Sequence, residues 1–113
     1  MNEKYLKYQD VANCPIRNVL DVIAGKWPML IISVLSEGEP FYFGELNRSI
    51  PDISPKMLSQ SLKMLVKEGL VSRTVIPEIP PRTQYKLTEY GGTLLTAIHP
   101  MIEWALAHMR RIK

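Results

Sequence analysis

A chain of 113 residues has the size of one domain, and 46% apolar content is ordinary for a globular fold with a modest core. Lys and Arg outnumber Asp and Glu by 14 to 11, a net charge of +3 that hints only weakly at a polyanionic partner. The single cysteine excludes an intramolecular disulfide framework, and no apolar run nears the roughly 18 residues of a membrane span.

The start Met1-Asn-Glu-Lys-Tyr5 is polar and lacks the apolar stretch of a secretory signal, so a reducing cytoplasm is the expected compartment. Residues 1–13 read as an arm, with Tyr5 and Tyr8 as possible anchors, ahead of a single domain over 14–113. Cys14-Pro15 opens a helix, because proline suits the first helical position; Val19, Leu20, Ile23 and Ala24 keep helical spacing up to Gly25. After the stop at Gly25-Lys26, Trp27-Pro28 starts a second helix. Its run from Met29 to Leu35 is apolar nearly all round, as suits a central helix packed on several sides. Ser36 to Pro40 is a turn by composition.

Phe41 to Ile50 is expected to form a short helix with Phe43, Leu46 and Ile50 on one face, broken by Pro51-Asp-Ile53. Ser54 to Glu68 follows as the best-defined helix of the chain. Ser54 can accept a hydrogen bond as N-cap, Pro55 fits the first turn, and Gly69 supplies the residue that can sit at positive φ beyond the end. Leu58, Leu62, Leu65 and Val66 form its apolar stripe. The far side carries Lys56, Gln60, Lys63 and Lys67, flanked by Ser59. Taken alone, that far side reads as an ordinary solvated surface; beside a preceding short helix it reads as the recognition helix of a helix-turn-helix over about 43–68.

Leu70 to Ile76 is rich in β-branched residues, and in Arg82 to Leu87 the side chains of Thr83, Tyr85 and Leu87 alternate with Arg82, Gln84 and Lys86. Two strands joined by Pro77-Glu-Ile-Pro-Pro81 make a hairpin wing over about 70–87. Thr88 then caps a last helix over about 88–111. Gly91-Gly92 softens its first turn and Pro100 is expected to kink it. Leu94, Leu95, Ile98, Met101, Ile102, Ala105, Leu106 and Met109 give this helix an apolar face broader than so small a domain can use. It either folds back on its own domain or, more economically, forms a dimer interface. The fold expected is therefore mainly α with a small β-hairpin, a winged helix-turn-helix that dimerises through its C-terminal helix.

The charge sorts with these elements. Residues 54–86 carry a net +4, leaving −1 for all the rest, so the positive residues gather on the recognition helix and wing, where phosphates would lie. Cys14 stands at a helix start near Arg17, where the dipole favours a thiolate; it is either a reactive thiol or a small residue beside a cap. His99 and His108 have no cysteine or acid cluster in ligand spacing, and nothing pairs a nucleophile with a base, so neither a metal, a cofactor nor an enzymatic activity is expected. Gly25-Lys26-Trp27 lacks the earlier glycine-rich run of a phosphate-binding loop.

Cys14-Pro15, Gly25-Lys26-Trp27, Phe43-Gly-Glu-Leu46, Ile50-Pro-Asp-Ile-Ser54, Leu58-Ser-Gln60, Glu68-Gly-Leu-Val71, Pro80-Pro-Arg82, Tyr85-Lys-Leu-Thr88 and Gly91 follow one another in an order and spacing that resembles the HxlR-type winged helix-turn-helix regulators of bacteria and archaea. The chain departs from the usual pattern at Asp52, where glycine is common, and at Ser61, where a basic residue often supplies a possible phosphate contact. The resemblance implies a homodimer joined through the N- and C-terminal helices and bound to double-stranded DNA at palindromic or near-palindromic promoter sites. Carried over position by position, Ser54, Lys56, Ser59, Gln60 and Lys63 would meet DNA from the helix, and Arg73 and Arg82 from the wing. It also implies that Cys14 stands where some relatives sense oxidants or electrophiles, so an oxidant or small-molecule effector is a possible further partner. Winged helices also serve as protein–protein interaction modules, and fold alone does not choose between the two roles.

Overall fold

A computed structural model describes residues 14–23 and 25–109. The expected arm over 1–13 lies outside the described residues, as do the side chains of Val19 and Ile23 and the last residues assigned to the C-terminal helix. The elements run α1 (Pro15–Ile23), α2 (Lys26–Val34), a 3-10 turn (Leu35–Glu37), β1 (Phe41–Tyr42), α3 (Phe43–Ser49), α4 (Pro55–Lys67), β2 (Val71–Ile76), β3 (Arg82–Leu87) and α5 (Glu89–Ala107).

Helices and wing enclose one core. From α2 it takes Ile31 and Ile32, with Leu35 just beyond; α3 contributes Leu46, and the turn after it Ile50 and Ile53. Leu58, Leu62 and Leu65 of α4 complete it with Leu70, Val71 and Tyr85. Of the apolar run expected to form a central helix, Ile31, Ile32 and Leu35 are buried, Met29 and Val34 are half-buried, and Leu30 is exposed.

One expectation is corrected. Phe41 and Tyr42 do not begin a helix; they form an antiparallel strand against Tyr85 and Gln84, giving a three-stranded sheet in the order β1-β3-β2. Two aromatic residues are too few to display a period of two, so only the strand beside them reveals the state they adopt. The hairpin pairs Val71 with Leu87 through to Ile76 with Arg82.

The end of α4 is tied to the start of α5. Gly69 adopts a φ of 77°, which lets its N–H reach the Val66 carbonyl at 3.0 Å while the Leu70 N–H reaches the Leu65 carbonyl at 3.0 Å. The next carbonyls are taken by Thr88. Its hydroxyl donates to the Gly69 oxygen at 2.7 Å, its N–H donates to the Leu70 oxygen at 3.0 Å, and its hydroxyl oxygen accepts from the Gly91 N–H at 2.9 Å. Helix α5 then runs on through Pro100, which withdraws one donor from the ladder. The chain is drawn out to 61 × 36 × 25 Å, with a radius of gyration of 16.5 Å. A compact domain of this length would have about 13 Å.

Candidate nucleic-acid interface

The recognition helix is built as its sequence demands. The Ser54 hydroxyl oxygen accepts from the Met57 N–H at 3.1 Å, and Pro55 occupies the first turn. Leu58, Leu62 and Leu65 are fully buried, and at 3.6 residues per turn this turns Lys56, Gln60, Lys63 and Lys67 outward, all exposed. Ser59 lies half-buried at the flank. Ser61 is a correction: at 8% exposure it faces the core, so the absence of a basic residue there removes no outward-facing contact. Met57 was not anticipated. It is exposed between Lys56 and Gln60, where an apolar methyl can meet a thymine methyl, and its position next to Lys56 was the available signal.

The turn between α3 and α4 is fixed from both sides. Asn47 donates to the Ile53 carbonyl at 3.1 Å, the Ile53 N–H donates to Ile50 at 3.1 Å, and both isoleucines are buried. Asp52, the departure from the family pattern, accepts from Lys26 Nζ at 2.7 Å. That hydrogen bond, helped by one from its own backbone, holds the Asp52 carboxyl below the ordinary carboxylate range. The same ammonium lies 4.5 Å from the centre of the Trp27 ring, so Gly25-Lys26-Trp27 works as a brace for the helix-turn-helix turn.

The wing separates the two arginines assigned to it. Arg73 stands opposite Tyr85, on the face shared by Val71, Val75, Thr83 and Leu87; Arg82 stands opposite Ile76, on the other face with Gln84 and Lys86. Tyr42 lies opposite Gln84 on that second face. The Arg82 guanidinium accordingly turns back over the Tyr42 ring, 3.5 Å from its centre, instead of reaching toward the wing tip. The tip itself presents Ile79, fully exposed.

The residues assigned to a dimer interface divide into two sets. Leu94 and Leu95 pack on the chain's own core and Ile98 is buried, so the first half of α5 is used within the domain. Ile102 and Ala105 are half-buried, while Met101, Leu106 and Met109 are exposed, Leu106 by 62%. Trp104 joins them at 57%, its ring stacked on His108 at 4.5 Å. Leu20 of α1 is exposed as well. Cys14 is only 2% exposed, as a small residue packed beside the helix cap would be, and attack on its sulfur requires the segment to open. No described helix is long and apolar enough to cross a membrane.

Comparison with known proteins settles the role of this architecture. Residues 22–113 match the model of the HxlR-like helix-turn-helix family. An HTH-type transcriptional regulator of Halalkalibacterium halodurans is 41% identical over 100 residues, 88% of each chain. The structure of the redox regulator HypR in its reduced form superposes with a TM-score of 0.80 at 35% identity, covering 87% of this chain and 96% of that one. The reduced transcriptional regulator YodB of Bacillus subtilis gives 0.71 at 39% identity, covering 81% and 90%. The interaction-module alternative falls away, and the chain belongs to the HxlR family of DNA-binding, non-enzymatic helix-turn-helix transcriptional regulators.

Proposed function

We propose that the protein acts in the cytoplasm as a homodimer that reads a near-palindromic operator, with α4 of each protomer in a major groove. The observation that carries this reading is the division of α4 into a fully buried leucine stripe and an exposed face of Lys56, Gln60, Lys63 and Lys67. Lysines suit phosphates and guanine edges, and glutamine suits the paired donor and acceptor of adenine. Ser54 and Ser59 flank this face, and Arg73 and Arg82 extend the positive charge onto the wing. Two such helices related by a twofold axis call for half-sites about one helical turn apart, or a multiple of it.

A gel shift on the chain's own upstream region tests the reading. A specific complex that weakens steeply as salt rises is the expected result, because each neutralised phosphate releases counterions. Binding that barely changes between low and moderate salt would contradict the phosphate contacts. Within that assay, Lys63→Ala is expected to weaken binding to every duplex by a similar factor. Gln60→Ala should mainly relax the preference at one base pair, costing about 1–3 kcal/mol on the operator alone. If both variants bind the operator like the parent, α4 is not the reading helix.

Cys14 supports a second, redox-responsive layer, on the ground that HypR is described as a redox regulator and superposes over most of this chain. Repeating the shift after diamide distinguishes the cases. A difference between reduced and oxidised protein that Cys14→Ser abolishes assigns the sensor; equal binding leaves Cys14 with a structural role beside the α1 cap.

A further inference from the structure

We infer that a groove between the first turn of α3 and the start of β3 is a second phosphodiester site, in which Arg48 and Arg82 together grip the DNA backbone beside the recognition helix. The inference rests on the DNA-binding reading above. It adds Arg48, which no sequence feature marked, and narrows the task of Arg82 from meeting DNA somewhere along the wing to holding a phosphate.

The groove arises because β1 ends after Tyr42. Had the strand continued, residues 43 and 44 would have lain along β3 beside Thr83 and Arg82; instead the chain turns into α3 at Phe43 and leaves that edge of β3 uncovered. The resulting open space of about 360 Å³ is lined by Tyr42, Gly44, Glu45, Arg48, Arg82 and Thr83 among others. Arg48 reaches it from one turn further along the helix. A Cβ built on Gly44 would come within 3.4 Å of Arg48 Nη1, so the glycine leaves room for the guanidinium to lie back against the first turn.

Both arginines enter the groove without a carboxylate partner. The Lys26–Asp52 ion pair and the His99–Glu103 contact both lie away from it. Glu45 is the one acid at the rim, and its Oε1 accepts the Tyr42 N–H at 2.8 Å, which holds that oxygen on the backbone. The Tyr42 ring supports Arg82 from one face and costs the guanidinium none of its five in-plane donors. Two planar forks that line one groove match the geometry of phosphate oxygens better than that of a base edge. Lys63 and Lys67 on α4 cannot fill this role, since they belong to the outer face of a different helix.

The test is salt-dependent DNA binding by the full-length chain, measured by fluorescence anisotropy on two duplexes, its own upstream region and a scrambled one, across a potassium chloride series. Arg48→Gln is expected to lower affinity for both duplexes about tenfold, leaving their ratio unchanged, and to reduce the slope of log K against log salt by about 1. The double variant with Arg82→Gln should reduce it by about 2. Arg48→Lys should keep the slope and lose part of the affinity, which separates charge at the site from loss of fold; thermal melting of each variant checks the latter. If the parent binds neither duplex, the DNA-binding reading fails and takes the site with it. If the parent binds and Arg48→Gln retains its slope, the site alone is refuted. If inorganic phosphate raises the melting temperature of the parent but not of Arg48→Gln while the slopes agree, the groove takes a free anion instead, and the DNA assignment is overturned.

Discussion

Replacing Gly91 with alanine is expected to destabilise the protein by about 2–3 kcal/mol, lowering the melting temperature by roughly 10 °C. The same change at its neighbour Gly92 should be neutral, or stabilising by up to about 1 kcal/mol through helix propensity. The contrast follows from packing. A Cβ at Gly91 would collide with the Leu70 carbonyl oxygen and come within 2.8 Å of Leu87 Cδ1, whereas one at Gly92 meets nothing within 4 Å. The Leu70 oxygen cannot retreat, because it already accepts the Thr88 N–H, and Thr88 holds the Gly69 carbonyl too. Alanine at 91 must therefore lift α5 off the junction where the recognition helix ends. Urea or thermal unfolding of the two variants side by side decides the matter, and equal stabilities would show that α5 is not seated on that carbonyl. A functional consequence is expected as well. The junction sets how the last helix, with its apolar face, is carried relative to α4, so Gly91→Ala should also weaken operator binding.

The second large effect is expected from Leu106→Glu, which should convert the proposed dimer to a monomer and reduce operator affinity roughly hundredfold or more. The loss comes from converting one bivalent event into two independent ones. Leu106 is the better probe than Ile102 because it is largely exposed within the protomer, so a carboxylate there costs the monomer little. Ile102→Glu should also split the dimer, but its half-buried side chain mixes interface loss with loss of fold. Sedimentation reads the oligomeric state directly: a Leu106→Glu protein that still sediments as a dimer would remove this stretch of α5 from the interface. The exposed set of Met101, Trp104, Leu106 and Met109, on a helix that extends the molecule well beyond a compact shape, motivates the prediction.

Several features were legible because they depend on neighbours in sequence. The limits of α4 follow from Ser54, Pro55 and Gly69, each of which satisfies or releases a backbone group within one turn of itself. Which face of α4 is buried follows from the leucine spacing alone, since a helix has one period. The alternation of β3 marked Tyr85 as inward and Lys86 as outward for the same reason. Helix-turn-helix, wing and the concentration of positive charge were all visible in this way.

Other features depend on groups distant in the chain, and the order of residues does not carry them. Phe41 and Tyr42 are a strand only because Tyr85 and Gln84 stand beside them. Ser61 looked like a lost phosphate contact, yet the rotation of α4 turns it inward with Leu58, Leu62 and Leu65. Arg73 and Arg82 both read as wing cations, and the pairing register puts them on opposite faces. Cys14 has the sequence of a helix-start thiol and the burial of a core residue. Gly91 and Gly92 are indistinguishable as a dipeptide; the approach of the Leu70 carbonyl makes one of them irreplaceable and leaves the other free. The sequence by itself determined the elements, their caps and the sign of the surface charge, because those rest on periodicity and local hydrogen bonding. The tertiary structure decided which side chains remain available for DNA, for a partner protomer or for an oxidant, because exposure is set by whatever distant segment lies against each one.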